Sequence, residues 1–307
     1  MRSVLILVTA LWLAPTTAMA AESIGVITEL HVKNGQVEVK PAAGGDWEPA
    51  KPLLGISAGD QVRAAGAGKA VLVFVSTQRT TVVTADNSPY VASLPPQPGL
   101  GERVKSAIAF LQSTPREPVR KPLTVRSSKD LAPVFILAPR ETQVAADGFS
   151  LEWQGPGSAR YTARIVAADG RVLWERKNAD NRPLALSPGD VRLVPGRYRW
   201  EVESSEHGIY RAGFDVATPE VASRARLAAD AVEVARYPAA TAALLKAAAL
   251  MRERFYADAR RELLRGVAAS PDEPTLHVLL GDVYERTGLE NLAAAEYDEA
   301  ESLSVRR

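Results

Sequence analysis

The spacing of apolar residues changes period at Thr218-Pro219-Glu220, and that junction limits the possible folds of this 307-residue chain more than any other feature. Before it, apolar and polar residues alternate in short runs separated by Gly, Pro and Asn-Gly, the period of two that a half-buried strand requires. At the junction stand a hydroxyl cap, a first-turn proline and an acid beside the positive end of a helix. After it, Ala and Leu recur at helical spacing through five expected helices, 219–235, 239–253, 256–269, 274–286 and 290–303. Runs of strands followed by a run of helices predict separate β and α modules.

The β part divides in two. Around Lys33-Asn34-Gly35, the runs Gly25-Val-Ile-Thr-Glu-Leu-His-Val32 and Gln36-Val-Glu-Val-Lys40 alternate, and Asn-Gly predicts a hairpin there. Val62 and the segments 70–75 and 80–84 continue this first set of strands. A second set is expected at 134–137, 149–153, 161–167, 172–175, 197–203 and 209–216, with turns at Ala168-Asp169-Gly170 and Pro195-Gly196. That spacing is the spacing of a small antiparallel sandwich. Trp153, Trp174 and Trp200 stand in these strands. Such rings either fill the space between two sheets or, if exposed in a row, stack on sugars. Between the two sets, residues 94–133 hold seven prolines and a basic tail at 116–126, the composition of a solvated linker. One short amphipathic helix interrupts it, with Val104, Ile108 and Leu111 at helical spacing.

The first twenty residues have the layout of a secretory signal peptide: Arg2, an apolar run at 4–14, and Ala18-Met19-Ala20 as a small-x-small cleavage site. The run ends at Pro15, short of the roughly 20 residues of a spanning helix. No later segment is apolar enough to span a bilayer, so none is expected after cleavage following Ala20. Zero cysteines leave no disulfide and no thiolate metal site. Lys plus Arg number 37 against 36 Asp plus Glu, which gives no general attraction to nucleic acid. The expected location is the periplasm of a bacterial envelope, with release or outer-membrane association as alternatives.

Arg63-Ala-Ala-Gly-Ala-Gly-Lys69 looks at first like a phosphate loop. The pattern fails on three counts: Arg63 stands where a glycine is needed, Ala70 replaces the metal-binding Ser or Thr, and Ala-Val-Leu-Val-Phe-Val follows in place of a helix. The stretch predicts a turn between strands, with Lys69 at its edge.

The helical part overlays on itself at a shift of 34 residues: Ala247 on Gly281, Leu250 on Tyr284, Ala259 on Ala293, Leu263 on Tyr297 and Gly266 on Ala300, with Pro271 closing the second helix of the first copy. This resembles the tetratricopeptide repeat, in which small residues let two antiparallel helices approach closely. The resemblance implies that the first helix of each copy lines a concave groove. It places Thr241, Leu244, Ala248, Met251 and Arg252 there from one copy, and Thr275, Val278, Asp282, Glu285 and Arg286 from the other. Such a groove takes a peptide or helix, or else packs against the chain's own sandwich; the sequence leaves both open.

Gly35-Gln-Val-Glu-Val39, the segment 47–52 with Trp47, Gly59-Asp60-Gln-Val-Arg63, the glycine turn at 66–68 and the apolar strand at 70–74 together resemble the FecR-type extracytoplasmic domain. FecR regulators carry a cytoplasmic part and a membrane span ahead of this domain. A signal peptide stands in their place here, so the resemblance implies only an extracytoplasmic binding role. Pro195-Gly-Arg-Tyr-Arg-Trp-Glu-Val202 is similar to the tyrosine-corner strand of fibronectin type III and immunoglobulin-like modules. The expected fold is therefore multidomain β + α. It comprises a signal peptide (1–20), a FecR-like all-β domain (21–93), a linker (94–133), an antiparallel β-sandwich (134–217) and α-helical TPR-like repeats (218–307).

Chemistry is sparse. His31, His207 and His277 fall at no metal-ligand spacing, and no Gly-x-Ser-x-Gly elbow occurs. Asp272-Glu273 and Asp298-Glu299 read as helix-start or solvated charge. No catalytic residue, metal or cofactor is expected. The expected function is that of an exported, non-enzymatic envelope scaffold that binds other envelope proteins. The alternative is a cell-wall glycan module using the sandwich aromatics. A hydrolase would require a polar cleft of convergent carboxylates.

Overall fold

A computed structural model describes residues 23–77, 79–93, 102–113, 134–232 and 236–305. The expected signal segment and the basic tail of the linker lie outside the described residues. The fold is β followed by α, with the one linker helix between the two sets of strands.

The first module has eight strands, β1 (Ser23–His31), β2 (Gly35–Lys40), β3 (Glu48–Pro49), β4 (Gly55–Ser57), β5 (Gln61–Gly66), β6 (Lys69–Phe74), β7 (Thr80–Val83) and β8 (Tyr90–Val91). They form two antiparallel sheets, β4-β1-β6-β7 and β3-β2-β5-β8, over a core that includes Ile27, Leu30, Ile56, Val62 and Leu72. Asn34-Gly35 makes a turn, with Gly35 N–H donating to the Val32 carbonyl at 3.1 Å. It is not the expected hairpin, because β1 and β2 belong to different sheets. The turn is packed against the one at Gly68, where a Cβ on Gly35 would come within 2.0 Å of the Gly68 nitrogen. The glycine-rich stretch is thus the crossing from β5 in one sheet to β6 in the other, and Lys69 opens a strand.

β1 is buried on both faces, which strict alternation of its sequence does not predict. The register with β6 slips between Ile27 and Glu29, so one extra residue is accommodated. Such a bulge re-aims the side chains that follow it. Ile27 and Leu30 both enter the module's own core, while Thr28 and Glu29 both reach the helices described below.

The second module is a two-layer sandwich of β9 (Phe135–Ala138), β10 (Thr142–Val144), β11 (Phe149–Gln154), β12 (Tyr161–Val166), β13 (Val172–Ala179), β14 (Leu184–Leu186), β15 (Gly196–Ser204) and β16 (Gly208–Val216). Its sheets run β10-β16-β15-β12-β13 and β14-β11-β9. The expectation of an antiparallel sandwich needs one correction: the short strand β10 pairs parallel to β16 at the sheet edge. Trp153 and Trp200 meet edge to face at 6.2 Å between the layers, and the Trp200 indole donates to the Pro139 carbonyl at 2.7 Å. The Tyr198 hydroxyl reaches back to the Val194 carbonyl at 3.0 Å.

The linker helix is α1 (Glu102–Ser113). It is followed, after the sandwich, by α2 (Pro219–Asp230), α3 (Ala239–Arg252), α4 (Tyr256–Ala269), α5 (Pro274–Arg286) and α6 (Glu290–Val305). α2 ends five residues before the expected 235, where Ala231 turns off the helix; residues 233–235 lie outside the described residues. α3 packs on α4 and α5 on α6. In the second pair a Cβ on Gly281 would meet the Tyr297 ring at 2.5 Å, so this approach requires glycine.

Candidate functional site

The inner face of the helical array is already occupied. β1 and α1 lie against α3, and β1 also against α5, so that Val26, Val73, Ala107, Ile108 and Leu111 share one core with Leu244, Ala248 and Met251. The short amphipathic helix expected in the linker forms, and its apolar face is covered: Ala107, Ile108 and Leu111 are fully buried. The Val104 side chain lies outside the described residues. The Gln112 amide donates to Ser23 Oγ and to the Gly25 carbonyl, both at 3.0 Å, which fixes α1 along β1. The Arg286 guanidinium lies 5.8 Å from the Phe110 ring centre and ties α1 to α5.

The expected groove residues fall into three groups. Leu244, Ala248 and Met251 are buried in the shared core, and Val278 packs at its margin. Thr241, Thr275, Arg252 and Arg286 bond or stack with β1, α1 or their neighbours; Arg252 reaches Ser106 on α1. Asp282 and Glu285 instead receive the Tyr297 hydroxyl of α6, at 2.9 and 3.1 Å.

Where β1 meets α3 and α5, the contact is polar. Glu29 Oε1 accepts from Thr241 N at 3.1 Å and Thr241 Oγ1 at 2.7 Å. Glu273 caps α5: its Oε1 accepts from Thr275 N at 3.2 Å and Thr275 Oγ1 at 2.7 Å, and also from Leu30 N at 3.1 Å across the module boundary. Thr275 Oγ1 lies equally 2.7 Å from the Thr28 carbonyl, so its one proton is shared between that oxygen and Glu273, and the Thr28 and Thr241 hydroxyls are 3.0 Å apart. His31 Nε2 lies 3.4 Å from Glu29 Oε2 and 3.4 Å from Glu273 Oε2. Burial pushes the Glu273 carboxyl up, against the Thr275 bonds and the His31 charge. Burial acts the same way on Glu29, but the bonds from His31 and Thr241 outweigh it and hold that carboxyl below the usual range.

The reading of Asp272-Glu273 as a helix start holds, but as solvated charge it holds only for Asp272. Glu273 is 1% exposed and joins two modules. Glu29 and His31 were legible as neighbours on one strand face, two residues apart. What the sequence does not display is the third member, some 240 residues on. The carboxylates of Glu29 and Glu273 converge while buried, which leaves no cleft at that point for a glycan. Trp153 and Trp200 are core residues, and Trp174 is half-buried on the edge strand β13, so the three rings form no exposed row.

The sandwich abuts the helices from another side. Arg260 on α4 pairs with Glu152 on β11 at 2.7 Å, Arg140 donates to the Thr287 carbonyl at 2.6 Å, and Thr142 Oγ1 accepts from Tyr256 N at 2.8 Å.

No family model and no curated protein matches the chain. Among solved structures, CopC from Methylosinus trichosporium OB3b is 22% identical over 27% of this chain and 92% of its own, with a TM-score of 0.20. An alpha-2-macroglobulin from Salmonella is 12% identical over 64% of this chain and 12% of its own, at 0.23. A beta-glucuronidase from Faecalibacterium prausnitzii is 13% identical over 66% of this chain and 35% of its own, at 0.21. The chain therefore spans only a small part of the latter two, and TM-scores at this level carry no argument about fold or role.

Proposed function

We propose that this chain is an exported, non-enzymatic scaffold of the bacterial cell envelope that binds other proteins, and that its TPR-like helices form a receptor for apolar helices. The observation that carries this reading is α1. An amphipathic helix, flanked on both sides by proline-rich sequence, seats Ala107, Ile108 and Leu111 on the inner face of the array. That is the helix-in-groove mode of recognition, here made within one chain. The FecR-like module covers the rest of the groove through β1. The surfaces left to partners are the outer faces of the two β modules, together with the groove itself whenever α1 is displaced.

Chemical crosslinking in intact cells, followed by purification of the full chain, tests this. The comparison is between the native chain and Ile108→Asp, which places a charge where α1 is buried. The reading expects specific protein partners, with a changed or enlarged set for the variant. An absence of specific crosslinked proteins with either form sinks the scaffold assignment. An identical set with both removes the groove from the function and leaves the β modules. Point substitution is preferable to removing the helices, because truncation would expose Val26 and Val73 of the first module.

A further inference from the structure

We propose that Glu29, His31 and Glu273 form a site for one divalent transition-metal ion of the Zn2+ class, which clamps the first β module to the helical array. Three independent observations lead there. The first is donor geometry. His31 Nε2 is 3.4 Å from each of Glu29 Oε2 and Glu273 Oε2, and all three donor atoms lie within 4.8 Å of one another. A point equidistant from the three is then at most about 2.4 Å from each, and Zn2+ bonds to imidazole and carboxylate are about 2.0–2.2 Å long. Small side-chain adjustments close that difference.

The second observation is the way the carboxylates are held. Each has its Oε1 engaged by a threonine hydroxyl and a backbone N–H, Glu29 by Thr241 and Glu273 by Thr275. Glu273 has the further support of Leu30 N, which also makes a longer 3.3 Å contact to Oε2. Both Oε2 atoms face His31. This is the outer-shell arrangement that orients metal-binding carboxylates. The third is charge. The Glu29 and Glu273 side chains are 5% and 0% exposed, and among the described residues only His31 lies within ion-pairing distance of them. Lys69, opposite His31 in the β1–β6 ladder, adds a longer-range positive field. Two buried carboxylates need compensating charge, and a divalent ion supplies it while leaving His31 neutral as the third ligand. The His31 side chain is 36% exposed, so a water can complete the coordination from that side. One imidazole and two carboxylates suit Zn2+ and its neighbours, whereas Ca2+ requires six or more oxygens.

The test uses the full chain, stripped with chelator and titrated with Co2+ and, separately, with Zn2+. The expected result is one ion per chain, with visible d–d absorption from bound Co2+, a Zn2+ binding isotherm and a raised melting temperature. His31→Ala, at a partly exposed position that leaves no core cavity, abolishes the Co2+ spectrum while retaining native circular dichroism. Thr241→Val keeps the ligands but weakens binding about 10–100-fold, as loss of an outer-shell partner does. Either of two results overturns the proposal. One is a native chain that shows neither Co2+ absorption nor a Zn2+-dependent melting shift; the other is binding that survives His31→Ala unchanged.

Discussion

Replacing Ile108 by alanine asks whether α1 is held on the helical array in solution. Ile108 is fully buried in the core shared by α1, α3 and β1. Losing three carbons there costs their transfer free energy plus a term for the cavity, together about 2–5 kcal/mol. The far side of α1 is open, with Ala109 and Ser113 exposed, so the site can partly collapse and a value of about 3 kcal/mol is appropriate. Each polar contact of α1 weighs less than that: the two bonds from Gln112 contribute about 1 kcal/mol each, the charge-assisted Arg252–Ser106 bond about 1.5 kcal/mol and the Arg286–Phe110 stacking about 0.5–1 kcal/mol. Ile108 thus carries a large share of the docking energy. At about 1.4 kcal/mol per tenfold, its loss raises the open population of α1 by about 100–200-fold. Amide hydrogen exchange over residues 102–113, read by mass spectrometry, measures that population. Exchange in α1 is expected to accelerate by about 100-fold in Ile108→Ala, by contrast with an unchanged β15 in the sandwich. Ala109→Asp on the open side should change it less than about threefold. The reasoning fails if α1 of the native chain already exchanges like unstructured peptide, or if Ile108→Ala leaves its protection intact.

Three further outcomes are expected. His277 donates to Glu296 at 2.7 Å and contacts the Pro271 carbonyl at 3.3 Å, and the Glu296 carboxylate, with Glu299 nearby, raises its pKa against the effect of burial. Its contribution to stability is complete below the unfolded value of about 6.5 and disappears as pH rises through the higher folded value. The urea midpoint should therefore fall across that window, and His277→Gln should flatten the slope; a parallel slope in the variant would refute the assignment. Gly281→Ala gains about 1 kcal/mol of helix propensity. It must also push the Tyr297 ring from 2.5 Å, an overpacking cost of about 1–3 kcal/mol, so the melting temperature should drop rather than rise. Glu152→Ala strands the Arg260 guanidinium, 11% exposed, at the helix–sandwich contact and should cost about 3 kcal/mol by urea unfolding. Arg260→Met with Glu152→Leu should recover most of that loss; a double variant no better than the single one would count against a charge-burial origin.

Much of the architecture was legible one element at a time. Thr218 caps α2 by accepting from Val221 N, as the hydroxyl-proline-acid sequence predicts, and α3 to α6 start at the residues expected from their helical spacing. β2, β5 and β11 keep the alternation of their sequences, whereas β1 and β6 are buried on both faces. The short edge strands β3, β4, β8, β10 and β14 escape notice, because two or three residues carry too little periodicity. The Asn34-Gly35 turn shows the limit of local chemistry. The turn forms as expected, yet which strands pair depends on partners elsewhere in the chain, and those send β1 and β2 into different sheets.

The candidate site lies further from local reach. Thr241, Leu244, Ala248 and Met251 share one face of α3 by helix geometry, whereas setting that face beside Thr275 of α5 in a groove is what the resemblance to the tetratricopeptide repeat implies. What covers that face follows from neither. Strict alternation along β1 separates Thr28 from Glu29 and puts Leu30 with Thr28. A one-residue bulge reverses this, turning Thr28, Glu29 and His31 to the helices and Leu30 to the module's own core. Periodicity, caps and turns are properties of neighbours in the chain, and the sequence determines them by itself. The meeting of Glu29 with Glu273, and of α1 with α3, depends on long-range burial and on a register slip that satisfies two cores at once, and only the tertiary structure decides that.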